Sequence, residues 1–322
     1  MKSGGTSSAC WVISDGRAGI LNQCLGLAEA VGLPIEVKTV HPRWPWTWLP
    51  LTFWPAPFRS LGPDSATFTP PWPRLAIGCG WRSIPFMLEV KRLSAGGTFT
   101  VQLQDPRIAT THFDLVVPPE HDRVAGSNVI TTLGSPNRIS KRKLDAAAAA
   151  WRAQFAALPA PRIGVLIGGK SKAHQFTEAD AERLAAQLKA LTKDVSLIVT
   201  PSRRTGEAQS KILRQALEGT SAYVWDGTGE NPYFAILALC DAFLVTSDST
   251  NLLTEAASTG KPVHIVEIPG GNAKFARLYE SLISRGIARR FTGRIENWSY
   301  EPLAETATVA TEIRRRLDAL ES

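Results

Sequence analysis

The residue types able to bind or move charge in this 322-residue chain are bunched rather than scattered. In the second half they follow short apolar runs, in Gly168-Gly-Lys-Ser171, Thr200-Pro-Ser-Arg-Arg-Thr-Gly206, Asp226-Gly-Thr-Gly-Glu-Asn-Pro-Tyr233 and Thr246-Ser-Asp-Ser-Thr-Asn251. Arg203 and Arg204, beside Ser202, suit a bidentate clamp on a diphosphate. Ser247, Ser249 and Thr250 offer hydroxyls where a helix should open, and a helix N-terminus favours an anion. Glu255, one turn further on, only accepts hydrogen bonds when ionised and suits a ribose diol. Capping and turn chemistry would account for any one of these loops alone.

The first half has loops of its own. Ser14-Asp-Gly-Arg-Ala-Gly19 leads into a helical stretch with Asn22 and Gln23. Asp15 is a candidate general base, given a substrate hydroxyl within reach; it would equally cap the helix or pair with Arg17. Gln104-Asp-Pro-Arg107 and His121-Asp122 are further loop candidates. Gly164-Val-Leu-Ile-Gly-Gly-Lys-Ser171 satisfies the G-x-x-x-x-G-K-[ST] phosphate-loop pattern, the mark of an ATPase or kinase. That motif needs its glycines after the strand and its Lys-Ser at a helix opening. Here the variable positions lie in the strand, and the next helix opens only near Thr177. What remains is a Gly168-Gly169 turn at a strand end, where a ligand can approach the backbone.

The elements that must carry these loops alternate. Strands are expected at Ala9–Ile13, Ile35–Val40, Leu75–Cys79, Thr98–Leu103, Asp114–Val117 and Asn128–Thr132. In the second half they are expected at Arg162–Ile167, Val195–Thr200, Ala222–Trp225, Ala242–Thr246 and Pro262–Val266. Their Val/Ile/Leu-rich runs lack polar alternation, as strands buried on both faces of a parallel sheet do. Helices are expected at Leu144–Leu158, Ala181–Leu191 after a Thr177 cap, Lys211–Leu217, Leu252–Ala257 and Pro302–Leu320. Alternating strands and helices predict doubly wound α/β layers, whose ligands bind at the carboxyl edge of the sheet. The polar loops of the second half converge on that edge, which points to a phosphate-bearing ligand. Pro-Ala-Pro at 159–161 breaks the preceding Ala-rich helix. It sets domains at 1–158 and 159–300, a hinge at 155–161 and a terminal helix at 301–322.

Composition narrows the class. An apolar share of 44% excludes a disordered chain, and no run of about 18 apolar residues free of charge or proline suggests a membrane span. No signal or transit peptide is expected before the first strand. Cys10, Cys24, Cys79 and Cys240 read as buried thiols of a cytoplasmic protein, and five scattered histidines offer no metal-ligand spacing. Residues 1–160 hold 16 basic and 10 acidic groups, residues 161–322 hold 20 and 19. Residues 42–73 hold nine prolines and Trp44, Trp46, Trp48, Trp54 and Trp72. Such a stretch suits a membrane interface or a lipid-linked ligand; it also suits a long connection pinned by its aromatics onto the core.

Taken together, Ser14–Gly19 with Asn22-Gln23, Gln104–Arg107, Ile167–Ser171, Thr200–Thr205, Gly229-Glu-Asn-Pro-Tyr233 and Ser247–Asn251 resemble the mitochondrial fission "elongated mitochondria" family, which has many bacterial members. The resemblance covers roughly residues 9–300. That family is similar to GT-B glycosyltransferases, with two Rossmann-like domains facing across a cleft. Thr246–Pro262 resembles their donor-binding signature, and the glutamate matching Glu255 contacts ribose in enzymes that glycosylate a lipid-linked cell-wall precursor. The resemblance implies a glycosyltransferase using a nucleotide-diphosphate sugar, with no separate cofactor or metal and no nucleic-acid partner. The donor side would comprise Gly168, Gly169, Lys170, Ser171, Ser202, Arg203, Arg204, Gly229, Glu230, Asn231, Ser247, Asp248, Ser249, Asn251 and Glu255. The acceptor side would comprise Gly16, Arg17, Gly19, Gln23, Gln104, Asp105 and Arg107, with Asp15 as catalytic base. Trp44–Trp54 would meet an anionic membrane or lipid-linked acceptor at its cytoplasmic face. The alternative is a non-catalytic scaffold that works at a membrane through protein partners.

Overall fold

The structure is a computed structural model that describes residues 7–51 and 53–320. Residues 1–6 and 321–322, the ends of the expected domains, lie outside it. The chain divides into two compact units, Met1–Arg138 with Ala304–Ser322, and Ile139–Leu303.

The first unit is built on five parallel strands: β1 (Ser7–Ser14), β2 (Ile35–Thr39), β3 (Pro73–Cys79), β4 (Phe99–Leu103) and β5 (Leu115–Val117), in the order β2-β1-β3-β4-β5. Alternate residues serve opposite faces. Cys10, Val12, Leu75, Ile77, Val101 and Leu103 join one apolar cluster; Trp11, Ile13, Ala76 and Val116 join another. Both faces of β1, β3, β4 and β5 are largely buried, with few polar side chains such as Ser14, Thr100 and Gln102, whereas the edge strand β2, Ile35-Glu-Val-Lys-Thr39, is mostly exposed. Each fully buried aliphatic side chain contributes about 2 kcal/mol.

Helix α1 (Ala18–Val31) covers the first face through Cys24, Leu27, Ala28 and Val31, and ends at Gly32 in the left-handed region. Helix α2 (Ile84–Leu93) covers the other face, together with Trp54, Phe68 and Trp72 from the proline-rich stretch. Phe58 stacks on Phe68 at 4.7 Å. The aromatics therefore pin that stretch to the core, but only in part: Trp44, Trp48 and Phe53 are 77%, 84% and 74% exposed.

The second unit holds α3 (Lys141–Trp151) and six parallel strands: β6 (Arg162–Ile167), β7 (Ser196–Pro201), β8 (Ala222–Val224), β9 (Ala242–Thr246), β10 (Val263–Val266) and β11 (Ala288–Arg290). Their order is β11-β10-β9-β6-β7-β8. Helices α4 (Glu178–Leu191), α5 (Glu207–Leu217), α6 (Tyr233–Leu239), α7 (Thr250–Ala257) and α8 (Ala273–Ser284) link them. Thr177 and Asp180 form a capping box on α4, as the expected Thr177 cap required.

Three expectations change. The boundary at 155–161 falls inside the second unit, because α3 packs there on α6. The terminal helix, α9 (Glu305–Ala319), belongs to the first unit; it buries Val309, Ala310, Ile313 and Leu317 in the α1 face, and its Glu305 carboxylate accepts the Leu133 amide at 2.9 Å. Asn128–Thr132 is not a strand but two isolated bridges, Val116 to Val129 and Pro119 to Thr132. Pro118 and Pro119 have no N–H to extend the ladder. The charge asymmetry also moves: the first unit holds 15 basic and 13 acidic groups, the second 21 and 16. The four cysteines are buried free thiols, and no helix among the described residues is long and apolar enough to cross a membrane.

Candidate functional site

In a doubly wound sheet the crevice lies where the strand order reverses, outside the carboxyl ends of the strands. In the second unit that point lies between β6 and β9. Asp248 follows β9, with its side chain fully closed to solvent. One carboxylate oxygen accepts the Gly169 amide at 2.9 Å and the Arg204 guanidinium at 2.8 Å; the other accepts the Thr246 hydroxyl at 2.7 Å. Thr246 in turn accepts the Gly168 amide at 2.8 Å. The Gly168 carbonyl takes hydroxyls from Ser202 and Thr205. A Cβ at Gly168 would run into the Asp248 carboxylate, so only glycine fits there. One buried acid thus ties the loops after β6, β7 and β9 together, and Arg204 stays 41% exposed above it.

The sequence placed Gly168, Gly169, Ser202, Arg204 and Asp248 in one site, and the structure brings them together. Lys170 joins by its amide, which donates to the Arg204 carbonyl at 3.0 Å. Ser171 does not; its hydroxyl closes a turn by accepting the amides of Ala173 and His174. Lys170-Ser171 therefore opens no helix, and the phosphate-loop pattern is without its context. Arg203 lines a pocket of about 150 Å³ with Ser202, Arg214, Trp225 and Asp226.

Ser249 caps α7 by accepting the Leu252 amide at 3.3 Å, and Ser247 accepts the Ile268 amide at 3.1 Å. Asn251 lies in the first turn of α7. Gly229 and Glu230 stand on an exposed loop, and Asn231 closes a turn ahead of α6 by accepting the Tyr233 amide at 3.0 Å. Glu255 keeps some solvent contact, but its carboxyl is enclosed and accepts the Tyr233 hydroxyl. Burial pushes that carboxyl up to about 7, against the downward pull of the Tyr233 hydrogen bond. Burial and the Glu255 charge together push the Tyr233 phenol well above its ordinary value.

In the first unit the order reverses between β1 and β3. Asp15 follows β1, its side chain only 2% exposed. Its Oδ2 accepts Arg17 Nε at 2.8 Å and lies 3.5 Å from an Arg82 nitrogen; its Oδ1 accepts the Arg17 amide at 3.3 Å. Both oxygens of the expected base are thus committed to arginine. Gly16 bridges the two residues at φ +78°. Gln23 and Gln104 meet, as Gln104 Nε2 donates to Gln23 Oε1 at 3.1 Å. Gly19 lies inside α1 rather than in the loop. Asp105 and Arg107 form a turn of their own, with the Arg107 amide on Asp105 at 2.8 Å. His121 is buried 3.9 Å from Asp122.

Sequence reasoning passed over Arg82, Tyr233 and Thr246 as site residues. Arg82 follows Gly80 directly after β3, the same strand-then-glycine signal that marked the other loops. Tyr233 closes a motif read only through its Gly, Glu and Asn. The Pro-Gly-Gly-Asn at 269–272 carried a plain helix-start signal; Asn272 caps α8 by accepting the amides of Lys274 and Phe275.

A family model for mitochondrial fission ELM1 matches residues 18–317. The chain belongs to this family. The mitochondrial fission protein ELM1 of Arabidopsis thaliana is 35% identical over 281 residues, a match covering 79% of this chain and 66% of that protein. The chain thus spans just under two thirds of that relative's length. Among solved structures, the UDP-GlcNAc 2-epimerase of Methanocaldococcus jannaschii in complex with UDP-GlcNAc and UDP is similar at TM-score 0.54 and 9% identity, covering 97% of this chain and 99% of its own. Os79 of O. sativa in complex with UDP is similar at TM-score 0.53 and 13% identity, covering 96% and 91%. At such identities the likeness concerns fold. This member of the ELM1 family has two parallel-sheet α/β units of the GT-B-like kind.

Proposed function

We propose that this chain transfers a sugar from a uridine-diphosphate donor held by the second unit to an acceptor taken by the first. The observation that carries the reading is the pair of acids at one sheet edge: Asp248 bracing Arg204 and the Gly168-Gly169 turn, and Glu255 held by Tyr233 one helical turn into α7. Arg204, with the Gly169 backbone beside it, suits the donor's diphosphate. Glu255 suits the ribose hydroxyls. The ligands of the two similar structures, UDP-GlcNAc and UDP, support this donor class. Asp15 goes to bracing Arg17 and Arg82 in this reading, since proton transfer would require it to let them go.

A thermal-shift screen with nucleoside diphosphates and UDP-sugars tests the proposal. A ligand at 100 times its Kd stabilises the native state by about 2.7 kcal/mol. A UDP-selective shift lost in Glu255→Ala is the expected result; equal shifts in both proteins remove the donor assignment. Exposure of Trp44, Trp48 and Phe53 favours a second reading, in which the first unit rests on a membrane or lipid-linked partner and the chain acts as a scaffold.

A further inference from the structure

The two units share a device. In each, an aspartate at the reversal point of the sheet is closed to solvent and holds an exposed guanidinium above the crevice. In the second unit this is Asp248 with Arg204. In the first it is Asp15, after β1, with Arg17 and with Arg82 from the loop after β3. The acid is 2% exposed, while Arg17 and Arg82 are 59% and 44% exposed.

Both guanidiniums reach the same carboxylate oxygen, so their contacting nitrogens lie within about 6 Å of each other. One tetrahedral phosphate can bridge that span. The carboxylate neutralises one of the two positive charges, which leaves one facing solvent. Arg17 gives its Nε to Asp15, and a guanidinium carries five N–H donors, so most remain for a ligand. Long flexible side chains lose entropy on binding; a buried brace removes part of that cost in advance.

We infer that the first unit carries its own anion site, in which Arg17 and Arg82, braced by Asp15 across the β1–β3 crevice, bind a phosphate or diphosphate group. Resting on the proposed transfer, this makes the acceptor a phosphate-bearing molecule. The anion site itself does not depend on the donor reading.

Trp81 reports on the site, because the Arg82 guanidinium carbon lies 5.2 Å from its ring centroid. The protein is labelled with 5-fluorotryptophan, and Trp81→Phe identifies the Trp81 fluorine signal. Inorganic pyrophosphate and dihexanoyl phosphatidic acid are then titrated separately, without nucleotide. A saturable shift of the Trp81 signal with either probe is expected, and the probe with the lower half-saturation separates a soluble phosphate from a lipid headgroup. Arg82→Ala should raise half-saturation about tenfold or more, since a charge-assisted hydrogen bond is lost. Arg82→Lys, which keeps the charge and loses the fork, should fall between, and Arg204→Gln should leave the shift unchanged. No response to either probe up to about 10 mM overturns the inference, because a site that weak falls below useful affinity. An equal response in Arg82→Ala and Arg17→Ala overturns it as well. Glu255→Ala reads the donor proposal separately: it should abolish UDP binding and leave the Trp81 response intact.

Discussion

The Tyr233 hydroxyl donates to the Glu255 carboxylate, joining the first residue of α6 to the second turn of α7. Burial raises the Glu255 carboxyl to about 7, whereas an unfolded glutamate titrates near 4.5. A raised folded pKa means that the native state keeps a proton the unfolded state has released. The resulting stability is full below the unfolded value and is lost as pH rises to about 7. The loss is on the order of 3 kcal/mol. Urea unfolding at a series of pH values should show this decline, and Glu255→Gln should flatten it. Tyr233→Phe removes the hydrogen bond that favours the charged form, so the decline should extend to higher pH. In a chain with only His264 replaced, to remove its opposing slope, a curve already flat between pH 4.5 and 7 contradicts the enclosed carboxyl.

Asp248 sets the geometry of three loops, so its loss should be felt in stability before any ligand is added. Asp248→Ala leaves the Gly169 amide and the Thr246 hydroxyl without their acceptor and Arg204 without its counter-charge. Breaking a buried pair in this way costs about 3–5 kcal/mol. Arg204→Gln should cost less, because the Gly169 amide and the Thr246 hydroxyl still satisfy the buried carboxylate and the glutamine amide can donate in place of the guanidinium. Gly168→Ala should resemble the aspartate variant, since its Cβ meets the same carboxylate. The order to be found in chemical denaturation is Asp248→Ala and Gly168→Ala far below Arg204→Gln. Equal midpoints for all three would mean the acid does not tie the loops.

His264 gives an acid-side prediction. Its Nε2 accepts the Glu296 amide at 3.0 Å, which leaves Nδ1 to donate to the Phe243 carbonyl at 3.3 Å. That pattern fits only the neutral ring, and burial lowers its pKa, against smaller opposing pulls from Phe243 and Glu296. A lowered histidine pKa makes the unfolded state the better proton binder, so stability falls as pH drops below about 6.5 toward the folded value. In a Glu255→Gln background, Tm measured from pH 7.5 to 5 should fall less steeply when His264→Gln is added than when His264 is kept. The same slope in both would leave the acid loss to other groups.

The central strands were legible because both their faces are buried: a run such as Arg162-Ile-Gly-Val-Leu-Ile167 has one reading whichever face it serves. The short β11 was missed, as Ala-Arg-Arg carries no such run. The discontinuous first unit was not legible, because nothing in Val309, Ala310, Ile313 and Leu317 says which apolar face they will cover. At the site, loop positions could be read from strand ends and glycines, which located Gly168, Arg204 and Asp248. Partner choice could not: that Asp15 turns to Arg82, 67 residues away in sequence, depends on β1 and β3 lying side by side. A base and a brace have the same residue type, and only the neighbours distinguish them.

The tryptophan-rich stretch makes a prediction that depends on which rings are free. Trp54 is 6% exposed and packs edge-on against Phe86 at 5.9 Å, and Trp46 is half-buried beside it. Replacing either should destabilise the fold, by about 3–5 kcal/mol for Trp54→Ala. Trp44, Trp48 and Phe53 reach solvent, so their replacement should leave Tm within a degree or two. If this surface meets a membrane, the triple change Trp44→Ser, Trp48→Ser and Phe53→Ser should abolish flotation with phosphatidylglycerol vesicles while the wild-type chain floats. The first unit carries only two more basic than acidic groups. Flotation driven by these rings should therefore persist as salt is raised, whereas electrostatic attachment would fade within the shorter Debye length. Unaltered flotation of the triple variant would take the aromatic surface out of any membrane role.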